Sequence, residues 1–408
     1  MSLIDFGILG AAAATAAWLF SPQVRRSARW QATVTPLASI IGSGFLVAAP
    51  LVAVIVGNAA PVAMIAIVLF AYGIGGIIRF NIRHVEPLVV NHVIPPRSIW
   101  LVEKVSGLAL SAAYIVSVTF YVRLLASFLL YGTSQDVGAY AKLLTTSILV
   151  FIGFTGFTRG LHALERLEAF SVTVKLAIIA AVLLGLGMFD LGSGGEVFAN
   201  TIPIKDHDPF HQVRLLAGLL LIVQGFETSR YLGEGYDVET RISSMRQAQF
   251  VSGVIYVGFV LLALPLLAHL KGTDPDETAI IELTRQVSPV LPAMLVIAAV
   301  MSQFSAAVAD TVGGGGLMAE NTEQKLDVRR SYLVITAAAI ALVWFAEIFE
   351  IISIASRAFA FYYLLQGINA WLAAGECTSG WRCFFERIRF GGLILILAFV
   401  VVFGHAAE

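Results

Sequence analysis

Apolar residues run along this chain in long blocks, and most of the charged residues collect in the short polar stretches between them. A bilayer hydrocarbon core is roughly 30 Å thick and takes about 20 apolar residues as a helix, so each block predicts one crossing. The blocks lie near 32–55, 59–78, 105–130, 143–157, 169–189 and 212–227, then near 250–269, 287–309, 331–345, 351–374 and 391–404. A further Ala-rich segment at 3–20 contains Asp5 and lacks the basic start of a secretory signal, which makes it an extra helix. The pattern predicts an all-α polytopic membrane protein with about 11–12 transmembrane helices.

Composition removes the soluble alternatives. With 58% hydrophobic and 13% charged residues and a mean hydropathy of +0.85, the chain is too apolar for a globular domain in water. A net charge of -1 offers no basic excess to nucleic acid, and none is expected as a partner. Charge placement says more. Eighteen of the 26 Lys and Arg fall in one set of alternate loops and five in the other. Retained cytoplasmic loops carry the positive excess, so the first set is cytoplasmic and the crossing that begins near Ala32 runs outward. The expected location is a bacterial inner membrane. The remaining three, Arg123, Lys175 and Arg357, lie inside apolar blocks, where a charge needs hydration, a partner or a path to the headgroups. Cys377 and Cys383 share one polar loop without histidine partners, so neither zinc nor a disulfide framework is indicated. No metal or other cofactor is expected.

No nucleophile elbow, metal-binding His/Glu motif or phosphate-cradling glycine loop occurs, which argues against an enzyme. Two interruptions stand out instead. The first, Ile40-Ile41-Gly42-Ser43-Gly44-Phe45, follows Pro36 in the first core block. Each Gly costs about 1 kcal/mol relative to Ala in a helix, so the stretch unwinds readily. Amides at the start of a half-helix then suit an anionic group such as a carboxylate. Close helix packing through small residues produces the same pattern. The second, Gln224-Gly225-Phe226-Glu227-Thr228-Ser229, ends the sixth block. A carboxylate beside a glycine fits a broken helix, and it equally fits a hydrated cytoplasmic helix end. Paired breaks in corresponding helices of two halves are the sequence mark of a transporter site.

At these residues the chain resembles the amino acid, polyamine and organocation (APC) superfamily of transporters, whose first core helix carries a Gly-Ser-Gly break and whose sixth carries Gly-Phe-Glu. The resemblance extends over about 32–374: Ala38 to Phe45 looks like the first-helix signature, Arg159 to Lys175 like the fourth-to-fifth passage, and Ser302 to Met318 like the eighth helix. It implies inverted five-helix repeats in a leucine-transporter-like fold. The first repeat would occupy 32–189 and the inverted repeat 212–374, preceded by 1–31, an extra hydrophobic segment with a basic loop, and followed by 375–408, a cytoplasmic loop and final helix. One departure is the end of the eighth helix, where Asp310-Thr311-Val312 and Gly313 to Gly316 stand in place of the usual Arg-Asp-Gly stretch.

Lys175 lies about two turns inside the fifth core block. Its stem can snorkel to the headgroups. The resemblance gives it another role, because proton-coupled bacterial members carry a Lys at the matching place, where its ammonium replaces the sodium ion of sodium-coupled relatives. Ser302 and Ser305 would be its neighbours by the same resemblance, although both also suit helix packing. Asp310 is a proton relay, a gate partner or a hydrated helix end, while Arg123 and Arg357 near the outer surface read as snorkelling or paired. Tyr114 and Tyr121 are seven residues apart and share one face of the third block, as site lining or packing.

The resulting expectation is a secondary active transporter of amino acids or related small solutes, working by alternating access and coupled to protons, with membrane lipid as its solvent. Ile41, Gly42, Ser43, Gly44, Gly225, Phe226 and Tyr114 would line the substrate site. Lys175, Glu227, Ser302, Ser305 and Asp310 would couple protons and gate. A polyamine, inorganic cation or organic acid carried by the same fold is the alternative, as is a non-transporting membrane solute sensor.

Overall fold

Inside hydrocarbon a backbone amide finds no water, so only a helix or a closed barrel satisfies it, and each apolar block of this chain becomes helix. The computed structural model describes residues 3–90, 97–131, 137–192, 202, 204, 208–233, 235–267, 278–377 and 380–405. The helices are α1 Leu3–Phe20, α2 Pro22–Arg25, α3 Ala28–Ser43, α4 Phe45–Val56, α5 Ala60–His84, α6 Glu86–Val90, α7 Arg97–Leu130 and α8 Val137–Arg159. They continue with α9 His162–Gly192, α10 Pro209–Ala217, α11 Val238–Leu267, α12 Ala279–Thr284, α13 Leu291–Asn321, α14 Val328–Phe345, α15 Ile348–Cys377 and α16 Gly380–Phe403. Side-chain caps start several of them: Ser27 accepts from Trp30 N–H at 3.3 Å and Asp327 from Arg330 N–H at 2.7 Å.

Eight stretches among the described residues are long and apolar enough to cross a bilayer, and one of these, Phe45–Leu88, contains both α4 and α5 joined by a 3-10 turn at Gly57–Ala59. Counting α3 with α4 as one interrupted crossing, α5 and Pro209–Leu232 as two more, and adding α16, gives eleven among the described residues, with α1 as a twelfth helix. α1 packs on α9, where Gly7 faces Met188, and its Asp5 accepts from Ser288 at 2.6 Å. Several helices outrun their apolar blocks: α7 begins at Arg97, α11 at Val238, and α13 runs to Asn321. Hydropathy marks only the part of a helix that hydrocarbon surrounds, and these ends continue as polar helix beyond it.

The two halves are related by inversion, visible in which residues meet. Gly225 lies against Ser39 and Ile40 while Gly44 lies against Ile222, so the two interrupted segments run antiparallel. The second pair does the same, with Gly75 against Gln249 and Gly253 against Val68 on α5 and α11. On α7 and α13, Gly107 faces Asn321 and Ser117 donates to Asp310; on α8 and α14, Gly153 faces Thr336 and Trp344 donates to Thr146 at 3.2 Å. Each of these four helices of the first half thus crosses its counterpart in the second head to tail, the arrangement of inverted repeats.

The glycine run on α13 has a packing reason. Gly313 and Gly314 lie against the Tyr114 ring, and a Cβ at Gly315 would come within 2.4 Å of Tyr332. Of the two outer arginines, Arg123 is buried on α7 instead of reaching out along the surface, and Arg357 donates from Nε to Val401 O at 2.8 Å, tying α15 to the end of α16.

Candidate transport site

The first break is narrower than its sequence predicts. Gly42 and Ser43 remain in α3, and only Gly44 leaves the helix before α4 resumes at Phe45. The side chain of Ser43 lies outside the described residues. A Cβ on Gly44 would sit 2.9 Å from Ile222 Cγ1, and one on Gly42 would sit 2.9 Å from Ala306 Cβ. Both glycines therefore admit close neighbours, the small-residue packing that the sequence left open beside the unwound alternative. The second break is wide: α10 ends at Ala217, and 3-10 turns at Leu220–Val223 and Phe226–Leu232 flank Gln224 and Gly225. Gly225 has φ +116, a left-handed conformation that disfavours any side chain.

Lys175 does not snorkel. It is 1% exposed, and its ammonium donates to Ala38 O at 2.8 Å and to Ser302 Oγ at 3.4 Å. Ser302 Oγ in turn lies 3.3 Å from Ile41 O, so Ile41, Gly42, Lys175 and Ser302 converge where α3, α9 and α13 meet. Ser305 gives its hydroxyl to Ser302 O on its own helix, at 3.1 Å.

Glu227 is fully buried, not hydrated at a helix end. Its Oε2 accepts from Gly225 N–H at 2.9 Å and from Tyr363 O–H at 2.6 Å, while Oε1 has no hydrogen-bond partner among the described residues. Phe226 stacks on Tyr363 with centroids 5.2 Å apart, and Tyr363, Phe359 and Tyr114 continue an aromatic row from the second break to α7. Tyr114 thus approaches the break through other rings. Asp310 is likewise buried on α13 and accepts from Ser117.

The hydroxyls of Tyr256 and Tyr363 were not singled out by the sequence. The Tyr256 hydroxyl on α11 sits 2.9 Å from Ile40 O and 2.7 Å from Ile222 O, spanning both interrupted segments. Gln224 donates to the Tyr121 hydroxyl at 2.9 Å. The signal for Tyr256 was available, since a phenol within an apolar crossing must find a partner. Tyr363 is hidden in an aromatic run, where composition does not single it out.

Toward the arginine-rich side the second break is locked by a buried polar layer. Arg230 pairs with Glu103 at 2.9 Å, Asn369 donates to Glu103 at 2.8 Å, and Arg241 pairs with Glu86 at 2.6 Å. These groups join α6, α7, α11 and α15 to the segment after Gly225. Buried charges persist when paired and hydrogen-bonded.

Comparison with known proteins places the chain in a family. A family model described as APC superfamily transporter matches residues 22–404. An uncharacterized protein of Aquifex aeolicus (strain VF5) is 45% identical over 393 residues, covering 96% of this chain and 94% of that one. A solved structure described as the inward facing conformation of Mhp1 is similar at 15% identity and a TM-score of 0.45, covering 97% of this chain and 89% of that one. With a family match that spans nearly the whole chain, and with paired helix breaks inside inverted repeats, the chain belongs to the APC superfamily of transporters, multi-pass membrane proteins that move small solutes.

Proposed function

We propose that this chain is a proton-coupled permease for amino acids or closely related amines in a bacterial inner membrane, with substrate held between the two helix breaks at the bilayer midplane. The observation that carries the reading is the Lys175 ammonium, 2.8 Å from Ala38 O and 3.4 Å from Ser302 Oγ beside the first break. A sodium ion about 4 Å from that charge would meet roughly 4 kcal/mol of repulsion at an effective dielectric near 20. Bound sodium and a charged Lys175 therefore exclude one another, and proton release from the lysine supplies coupling without metal.

Substrate chemistry is supported at the second break. Ser39 Oγ, Gln224 Oε1 and Glu227 Oε1 are buried without hydrogen-bond partners among the described residues, and all three belong to residues at or adjoining Gly225. Buried oxygens without donors are costly, and a substrate ammonium supplies N–H donors. This favours an amine-bearing solute over a plain organic acid. Opening the site requires Gly42 and Gly44 to part from Ala306 and Ile222, the relative motion of repeats in alternating access.

The test is uptake of radiolabelled amino acids and polyamines into proteoliposomes under an imposed pH gradient, with choline replacing sodium. Uptake that follows the gradient and is lost as coupled accumulation in Lys175→Ala is expected. Uptake that requires sodium, or unchanged accumulation by the variant, overturns the coupling mechanism; ligand binding with no flux for any solute makes the protein a sensor.

A further inference from the structure

Away from both breaks, α5, α11 and the start of α16 enclose a cavity of about 720 Å³ whose wall carries Arg79, Arg83, Arg246, Arg382 and Arg389. Glu386 is the one carboxylate on that wall, and it is held by Arg389 at 2.6 Å. Arg83 turns to Glu239 at 2.5 Å, outside the wall. Arg79 is fixed by Gln249 at 2.5 Å and lies over the Tyr72 ring at 4.7 Å. Arg246 and Arg382 meet no carboxylate among the described residues. The three guanidinium groups that meet no carboxylate among the described residues, on Arg79, Arg246 and Arg382, repel each other around this space unless an anion enters, and their planar forks suit phosphate oxygens.

The cavity does not end in protein. At Tyr72 it continues into a groove of about 580 Å³ between α5 and α11, lined by apolar residues such as Leu69, Val254 and Val257. Leu69 is 65% exposed, Val254 58% and Phe250 70%, so this face looks outward into lipid. Gly253 brings the helices together, since a Cβ there would sit 2.7 Å from Val68, whereas a Cβ on Gly258 would meet nothing within 4 Å and leaves the groove open. The groove spans residues 65–72 of α5 and 249–258 of α11. At 1.5 Å per residue that is about 10–14 Å, close to the roughly 15 Å depth of one leaflet. It descends from the arginine-rich end of both helices, and Trp381 and Phe385 at the start of α16 are exposed on the wall of the arginine cavity, as aromatic residues are at a membrane interface.

We infer that this is a site for one anionic phospholipid: the arginine cavity takes the phosphate headgroup and the α5–α11 groove takes an acyl chain. Headgroup charge and chain length are both matched. A free phosphate compound would use the cavity alone and leave the groove without effect.

The test uses the full chain, purified and delipidated in detergent, with bound lipid counted by native mass spectrometry and the unfolding midpoint followed as lipid is added in mixed micelles. Dioleoylphosphatidylglycerol is expected to bind saturably at one per chain and to raise the midpoint, with dioleoylphosphatidylcholine at least tenfold weaker. Arg246→Gln with Arg382→Gln should weaken phosphatidylglycerol binding roughly thirtyfold, and the paired Lys substitutions should retain most of it. Gly258→Leu should weaken the lipid through the groove and leave the arginines intact, so it decides the matter if the double variant fails to fold. Equal binding of the two lipids, or no loss in Gly258→Leu, overturns the proposal. So does stabilisation by glycerol 3-phosphate or inorganic phosphate equal to that of the lipid, which would make the cavity a free-anion site.

Discussion

In the first interrupted segment the helix lets go at one residue, Gly44, whereas the second is irregular from Gly218 to Leu232 and contains a buried carboxylate two residues after a left-handed glycine. Gly44 has φ −158, extended backbone that any residue adopts, so its side of the pair is set by space. Gly225 at φ +116 is set by conformation as well as space. Two inverted repeats can thus place equivalent breaks opposite one another and give them unlike chemistry: the Ala38 carbonyl of the first faces the Lys175 ammonium, and the Gly225 amide of the second, with the Tyr363 hydroxyl of α15, holds Glu227. The first half presents a backbone carbonyl to a buried ammonium, and the second holds a buried carboxylate.

The sharpest break of this comparison is Gly225→Ala. A Cβ there would meet Ser39 Oγ at 2.4 Å and the Ile40 backbone N at 2.7 Å, in a dihedral region closed to alanine. Conformational strain of about 1–2 kcal/mol and overpacking of about 1–3 kcal/mol add to roughly 3 kcal/mol. A large fall in the unfolding midpoint and loss of uptake are expected, and trimming Ser39 to Gly should not restore them, because the Ile40 backbone remains. A midpoint near that of wild type would mean that the second break is as adaptable as the first.

Glu227→Gln tests the chemistry rather than the shape. The amide oxygen can keep the Gly225 and Tyr363 donors while the titrating group is removed. If Glu227 carries a proton in the cycle, the pH-dependent limb of uptake, about tenfold per pH unit for one proton, flattens toward zero. A pH profile with its slope intact would assign Glu227 a purely structural role, leaving Lys175 to account for coupling.

The crossings were legible in the sequence because each is long, apolar and bounded by charge, and α5, α14 and α15 fall on their blocks for that reason. The glycines at 44 and 225 were legible as breaks, since Gly weakens a helix wherever it stands. Their partners were not. Ile222 and Ser39 look like any apolar or small residue of a crossing, and only the antiparallel approach of the repeats gives them meaning. Lys175 was visible as a charge in hydrocarbon, but snorkelling and internal pairing differ only in where the ammonium ends, which the chain order does not encode. The arginine cavity was legible as cytoplasmic charge and not as a site, because Arg79, Arg246 and Arg382 come from three distant helices.

Gly44→Ala should be milder than its counterpart. No dihedral cost arises, and the clash is with a side chain, Ile222 Cγ1 at 2.9 Å, as well as with Ile222 Cα at 3.1 Å. Overpacking of this kind costs about 1–3 kcal/mol. Adding Ile222→Ala removes the closer atom, so the pair should recover part of the lost midpoint, a rescue that Ser39→Gly does not give Gly225→Ala. Absence of any rescue would mean that Gly44 is required by its backbone and not by the space around it.

Tyr256→Phe is the smallest change and probes the join between the two segments. The hydroxyl has one proton and lies within reach of Ile40 O and Ile222 O, so it links a carbonyl of the first segment to one of the second. Removing it leaves the ring in place against Phe45, whose centroid is 5.9 Å away, and deletes only the polar contact. A net loss of about 1 kcal/mol is the usual value for one buried hydrogen bond. The informative quantity is the coupling. Ile222 is also the residue that meets Gly44, so Tyr256→Phe and Gly44→Ala act on the same junction and should depart from additivity by at least about 0.5 kcal/mol. Tyr256→Phe and Lys175→Ala act on opposite faces of α3 and should add. Additivity in the first pair would show that each segment holds its own shape, and that Tyr256 merely packs between them.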